Sequence, residues 1–331
     1  MYCRIAVVSF IALVAASAST DVAGENQQPS STSSPIQGVA MPPEHSDAFR
    51  PDIADIAYGP HERNVMDLYS APGPGPHPLL LYIHGGGFKN GDKLHINRQL
   101  FRLCLERGIS VVSISYRLSQ HAIYPAPFND CRLALQYIRY HAAELDIDPT
   151  RIAGSGSSAG AGMSTWLGFR PDMADPTSDD PVLRESTRLS AIVTTEGQTS
   201  YDPRFISRVV GGSAHTHRAL AQLFGVPENI WPRLEPGNAA LVEDGAAINF
   251  LTADDPPVFA IYKRENRTPT EEDDPNYGIH HPRFGYDLKT KMDDLGIPCV
   301  IHNDPRMEED PDARKIAHTL AADFLAKALS P

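Results

Sequence analysis

Two glycine-rich stretches carry side chains and spacings that could do chemistry. Residues 154–162 read GSGSSAGAG, and residues 84–88 read HGGGF. The first could be a flexible spacer, a phosphate-cradling loop, or a turn that holds one serine out as a nucleophile. A P-loop ends in Gly-Lys-Ser/Thr, and that ending is absent here. Gly156-Ser157-Ser158-Ala159-Gly160 does fit G-x-S-x-G. This pattern suits a serine on a sharp strand-to-helix turn, where the hydroxyl stands above the sheet edge and small neighbours relieve crowding. It selects Ser158, because Ser155 is followed by Gly156 and Ser157 and does not supply the pattern. A helix starting there would offer free backbone N–H groups to an oxyanion. In HGGGF, successive glycines let N–H groups turn toward a substrate oxygen. The two motifs, in this order and on strand ends, describe acyl transfer through a serine.

The elements that would position them alternate. HPLLLYIHGGG reads as a buried strand ended by glycines, and NRQLFRLCLERG as a helix with a Gly stop. ISVVSISY is a second buried strand. PFNDCRLALQYIRYHAAEL is a helix with Asn129 or Asp130 near its start, and DPTRIAGSG supplies a turn and another strand. RLSAIVTT and PPVFAIYK read as strands, FGYDLKTKMDDLG as a helix ended by Gly296, IPCVIH as the last strand, and PDARKIAHTLAADFLAKAL as a closing helix. Strands alternating with helices imply an α/β class with a mostly parallel central sheet and helices on both faces. Residues 201–250 break the rhythm and read as a small cap excursion.

From NVMDLY (64–69) to about Phe169, through YIHGGGFKNGDK, SISYRLS and DPTRIAGSGSSAGAG, the chain resembles the α/β-hydrolase fold family. The resemblance is to its HGGG-type carboxylesterases, including the feruloyl/acetyl-xylan esterase-like branch. It implies an oxyanion hole made by Gly86, Gly87 and Ala159. It implies that His84 shapes the loop and is not the base, and that Asp130 is structural.

The family's acid follows the strand PPVFAIYK, and by spacing that position falls near Asn266, which is no carboxylate. Asp273 and Asp274 could reach in from the longer loop that follows, and Glu196, at the end of the TTEG strand, is a further candidate. The family's base sits in the loop after the last strand. There His302 comes too early, and His318 falls inside the final helix. The expected base is therefore His281 or His280, in GIHHPRFG just before a helix, oriented by Asp274 or another carboxylate. A triad is defined by geometry and roles, so this chain order is allowed.

The chain has 331 residues, 41% hydrophobic and 21% charged, enough for one large domain or two small ones. A net charge of -12 argues against nucleic-acid partners. Arg4, the apolar run IAVVSFIALVAA and the small residues Ala16-Ser17-Ala18 read as a secretory signal peptide over 1–18. A Pro/Ser-rich leader over 19–50 and a hydrolase domain over 51–331 follow, with no membrane span in the mature chain and a secreted or periplasmic location. Cys104, Cys131 and Cys299 are too few and too scattered for a disulfide framework. The leading reading is a secreted serine esterase acting on a small-molecule or carbohydrate ester with no cofactor and no metal. The alternative is a catalytically impaired protein of the same fold with a binding role. A peptidase on the same fold is the third.

Overall fold

The computed structural model describes residues 49–331. The expected signal peptide (1–18) and all of the expected leader except Phe49 and Arg50 lie outside the described residues. Phe49 stacks on Tyr69 with ring centroids 5.1 Å apart, so packed structure begins just inside the expected leader, before the expected domain start at 51.

The buried apolar runs pair into one sheet. Its strands are β1 (Ile53–Ala57), β2 (Val65–Tyr69), β3 (His77–Ile83), β4 (Ser110–Ile114), β5 (Ile147–Ser157), β6 (Ala191–Thr195), β7 (Val258–Tyr262) and β8 (Cys299–Asn303). The order is β1-β2-β4-β3-β5-β6-β7-β8. β1 and β2 run antiparallel to their neighbours, and the pairs from β4 to β8 are parallel. The first two strands carry no continuous apolar run. β1 is an edge strand with most of its side chains wet, which is why the pattern that reveals β3 to β8 does not reveal it.

The helices are α1 (Arg98–Leu105), α2 (Ala126–Tyr140), α3 (Ala159–Phe169), α4 (Pro203–Val209), α5 (Arg218–Leu223), α6 (Pro236–Asp244), α7 (Pro275–Ile279), α8 (Arg283–Asp294) and α9 (Pro311–Ala328). α2 begins at Ala126, before the expected Asn129 or Asp130, with Pro127 in its first turn. Asp130 turns inward from α2 and takes Arg117 at 2.6 Å, the structural part implied for it.

Successive strand residues point to opposite faces. Leu80, Tyr82, Val111, Val193 and Ile261 meet α1 and α9 in one buried cluster. On the other face Ile192 meets α3, where a Cβ added at Gly168 would lie 2.4 Å from Ile192 Cδ1. Helices therefore cover both faces, and the carboxyl ends of the parallel strands open toward one end of the sheet. Asn97 ties α1 to α9, capping Leu100 N–H with Oδ1 while its Nδ2 donates to His318 Nε2.

Candidate active site

The turn between β5 and α3 is tight because two glycines allow it. A Cβ on Gly156 would lie 2.4 Å from the Gly160 carbonyl carbon, and one on Gly160 would lie 2.0 Å from the Ile83 carbonyl oxygen. Ser158, between them, has φ 50 and ψ -117, a conformation L-residues avoid unless their surroundings hold them there. Its N–H is fixed by the Thr195 carbonyl at 2.9 Å. The hydroxyl is thereby pushed out beyond the strand ends.

Across the turn lies the HGGGF loop. Gly86 has φ 104 and Gly87 φ 59, left-handed values open to glycine. Gly86 has a second reason to lack a side chain, because its Cβ would lie 2.2 Å from the Asn90 carbonyl oxygen. Among the described residues the N–H groups of Gly86, Gly87 and Ala159 have no acceptor, and all three residues line the same cleft as Ser158. His84 is buried behind the loop. Its Nδ1 donates to the Gly85 carbonyl at 2.7 Å, and its ring stacks on Tyr116 at 4.3 Å. Burial lowers its pKa from 6.5 to about 4.

Of the two expected histidines, only His280 meets the serine. Ser158 Oγ and His280 Nε2 are 2.8 Å apart. His280 Nδ1 lies 2.9 Å from the Asn276 main-chain oxygen. A carbonyl only accepts, so Nδ1 carries the proton and Nε2 is the lone pair that takes the Ser158 O–H. Burial lowers the pKa of His280 from 6.5 to about 4, against the pull of the Asn276 carbonyl, with Arg264 and Lys263 adding to the fall.

His281 is a correction. It is fully buried, Nε2 donates to the Arg267 carbonyl at 2.7 Å, and Nδ1 accepts the Arg283 N–H at 3.2 Å. Both nitrogens are spent on packing, because consecutive residues at a helix end point in different directions. Asp274 is a second correction as orienting acid. Its carboxylate caps α7 through the Asn276 N–H at 2.7 Å, and a main-chain carbonyl occupies the place expected for it beside His280.

The remaining carboxylates are engaged elsewhere. Asp273 holds Arg267 Nη1 at 2.8 Å and the Thr270 N–H at 2.6 Å, which keeps its carboxyl well below the usual range. Glu196, buried at the end of β6 with φ 53, takes Lys263 Nζ at 3.2 Å. Burial raises its pKa against Lys263 and Arg264. Asn266 is exposed. His302 lies within β8, its ring 6.5 Å from Phe259. His318 is spent on Asn97 and on Gln99 at 2.7 Å.

Three contributors were invisible in the sequence. Asn276 acts through its backbone, which no residue type advertises. Gln198 donates from Nε2 to the Glu196 carbonyl at 2.9 Å and the Ile279 carbonyl at 2.8 Å, tying the segment before His280 to the end of β6. His217, from the 201–250 segment, lines the cleft beside His280, and the pair His215/His217 was the only available signal. Tyr201 and Thr216–Leu220 of that segment line a cleft of about 740 Å³ together with Gly86–Asn90, and a Cβ built on Gly87 would lie 3.3 Å from Ala219 Cβ.

The BD-FAE family profile matches residues 66–268. The chain is 29% identical over 216 residues to the protein named "Probable carboxylic ester hydrolase LipM" of Mycobacterium tuberculosis, a match covering 64% of this chain and 47% of that one. The chain spans less than half the length of the first curated relatives it matches. An acetyl ester-xyloside bifunctional hydrolase from Caldicellulosiruptor lactoaceticus superposes with a TM-score of 0.66 at 19% identity, over 85% of this chain and 98% of that one. A truncated carbohydrate esterase from gut microbiota superposes with a TM-score of 0.64 at 21% identity, over 84% and 96%. At such identities the likeness speaks for the fold, which is the α/β-hydrolase fold.

Proposed function

Since this chain belongs to the BD-FAE family, its profile matching residues 66–268, we propose that it is a carboxylic ester hydrolase that works through an acyl-enzyme on Ser158. The observation that carries this reading is the 2.8 Å contact between Ser158 Oγ and His280 Nε2. The name of LipM supports the same reaction class.

As Ser158 Oγ attacks the ester carbonyl carbon, its proton passes to His280 Nε2. The carbonyl oxygen becomes an oxyanion and is received by the N–H groups of Gly86, Gly87 and Ala159. Each such donor is worth about 3 kcal/mol of transition-state stabilisation. The imidazolium keeps its Nδ1–H on the Asn276 carbonyl and passes the Nε2 proton to the departing alkoxide. The ester C–O bond breaks, leaving the acyl group on Ser158. Water, losing a proton to His280, then attacks that acyl carbon and the serine is restored.

The substrate in this reading is a small-molecule or carbohydrate ester, in keeping with the carbohydrate esterase among the structural neighbours. A signal peptide over residues 1–18 would deliver the protein outside the cytoplasm. The Ser158–His280 contact weighs against the alternative of an impaired binding protein.

The test is labelling by a fluorophosphonate probe together with hydrolysis of 4-nitrophenyl acetate, by the protein and by Ser158→Ala. Labelling at Ser158 and loss of hydrolysis in the variant are expected. Equal rates for the two proteins would sink the reading.

A further inference from the structure

The helix that carries His280 is seated on the 201–250 excursion. A single 3₁₀ turn of that excursion, Gly212–Thr216, lies against α7 and the residues just before it. The Ser213 hydroxyl donates to the Asp273 carbonyl, and the His217 ring is hydrogen-bonded to the Asn276 side chain. Between them in the chain, Ala214 meets Gly278, and both residues are buried. A Cβ built on Gly278 would lie 2.5 Å from Ala214 Cβ and 3.1 Å from its Cα. Gly278 is not among the glycines with left-handed φ, so space and not backbone conformation keeps a side chain out. The turn is itself held, since Trp231 Nε1 donates to the His215 carbonyl at 2.8 Å.

His280 moves with α7. Its Nδ1 donates to the Asn276 carbonyl of the same helix at 2.9 Å, and the next N–H, that of His281, donates to the Gly278 carbonyl at 3.1 Å. Ser158 is held separately, by the Thr195 carbonyl at the end of β6. The 2.8 Å between Ser158 Oγ and His280 Nε2 is thus set by where α7 sits, and at Gly278 its seat admits no added atom.

We propose that Gly278 is a positioning residue: lacking a side chain, it lets α7 settle on Ala214, and that seat aligns His280 with Ser158. This rests on the esterase reading above, and it makes the excursion a fixed part of the catalytic frame. A methyl group at residue 278 needs about 3.5–4.0 Å to a neighbouring carbon, so α7 and the turn must part by about 1 Å or more. A misplacement of about 1 Å between reacting groups costs about 10²-fold in rate.

The experiment measures kcat and KM for 4-nitrophenyl acetate and the rate of fluorophosphonate labelling of Ser158, with thermal melts alongside. The proteins are the intact enzyme, Gly278→Ala, Ala214→Gly and the double variant. Gly278→Ala is expected to lower kcat and the labelling rate by about 10–100-fold with KM within a few-fold. Ala214→Gly removes the atom that the new methyl meets first, so in that background the same substitution is expected to cost only a few-fold. A merely structural role would lower Tm without splitting kcat from KM. Should Gly278→Ala fail to fold, Ala214→Val crowds the same gap from the other side and carries the same expectation. Hydrolysis by the intact protein, with kcat of the crowded variant within a few-fold of it, overturns the positioning role alone. A loss that Ala214→Gly does not relieve overturns it as well. Neither hydrolysis nor labelling of Ser158 in the intact protein overturns the role and the esterase reading together.

Discussion

The Nδ1 of His280 rests on the main-chain oxygen of Asn276, 2.9 Å away and one helical turn earlier in the chain. In a Ser-His-Asp arrangement a carboxylate holds that nitrogen, fixes the tautomer and stabilises the imidazolium. The carbonyl fixes the tautomer equally well, since it only accepts. It carries a partial charge, so it stabilises the imidazolium less than a carboxylate would. α7 is what makes the contact. It is a short helix begun by Asp274 and Pro275, and His280 folds its ring back over the last turn. The acid expected from the sequence thus builds the helix end that carries His280.

Removing the charge of Asp274 tests this division of labour. Asp274→Asn keeps a capping side chain, and kcat for an aryl ester is expected to fall by no more than a few-fold. The variant's stability is expected to drop by about 1 kcal/mol or less, the scale of a helix N-cap. A triad acid replaced by its amide lowers kcat by about 10⁴-fold. A loss of that size in Asp274→Asn would show that the carboxylate reaches His280 during turnover.

The neighbouring histidines should separate cleanly. His280→Gln removes the group against Ser158 Oγ and is expected to lower kcat by ~10²–10⁴-fold with little change in melting temperature. His281→Asn breaks two buried hydrogen bonds and is expected to destabilise the fold by about 1–3 kcal/mol while the folded enzyme keeps kcat within a few-fold. Kinetics and thermal melts on both purified variants decide it, and a larger kcat loss in His281→Asn would reverse the assignment.

What was legible in the sequence follows from how tightly the backbone is constrained. Ser158 could be read because only glycine fits at 156 and 160, where the strand end, the helix start and the Ile83 carbonyl crowd together. The Gly86–Gly87 loop could be read for a similar reason, its left-handed φ values. The strands β3 to β7 could be read from the buried residues of their apolar runs and the half-exposed edge strand β8 from its apolar run alone, whereas the wet edge strand β1 has no such signature. The choice between His280 and His281 could not, because it depends on the direction of the chain at the end of a five-residue helix. The orienting group could not either, since a main-chain carbonyl has no residue type. Glu196 sits at the end of β6 as expected of an acid candidate, but Lys263 and Arg264 close on it, a pairing that needs the β7 end in space.

The pH dependence of kcat/KM should report the unusual setting of the base. Burial, with Arg264 and Lys263 adding, places the pKa of His280 at about 4, so the free-base form persists well below the ordinary histidine value of 6.5. Protonation removes the lone pair that takes the serine proton. Activity is therefore expected to hold as the pH falls from about 7 to about 5, and then to fall by about tenfold per pH unit below the pKa of His280. Short assays with folding monitored in parallel measure the limb. A midpoint at 6.5 or above would mean that a carboxylate supports the base in the working enzyme.

The same acidic range should unfold the protein through other histidines. His84, His281 and His318 are buried, uncharged and spent on hydrogen bonds in which each ring keeps one N–H, and burial lowers each pKa from 6.5 to about 4. In the unfolded chain each would titrate near the ordinary value, so between about 6.5 and 4 the unfolded state binds more protons than the folded one. Stability is then complete above the unfolded value and is lost as the pH falls toward the folded value. Each histidine contributes a slope of about 1.4 kcal/mol per pH unit inside that window. Denaturant melts at a series of pH values should show stability flat above about 7 and falling below 6, with the slope reduced by about a quarter or less in His318→Gln, since His280 titrates in the same window; the variant keeps polar contacts with Gln99 and Asn97 but cannot titrate. An unchanged slope in that variant would remove His318 from the set.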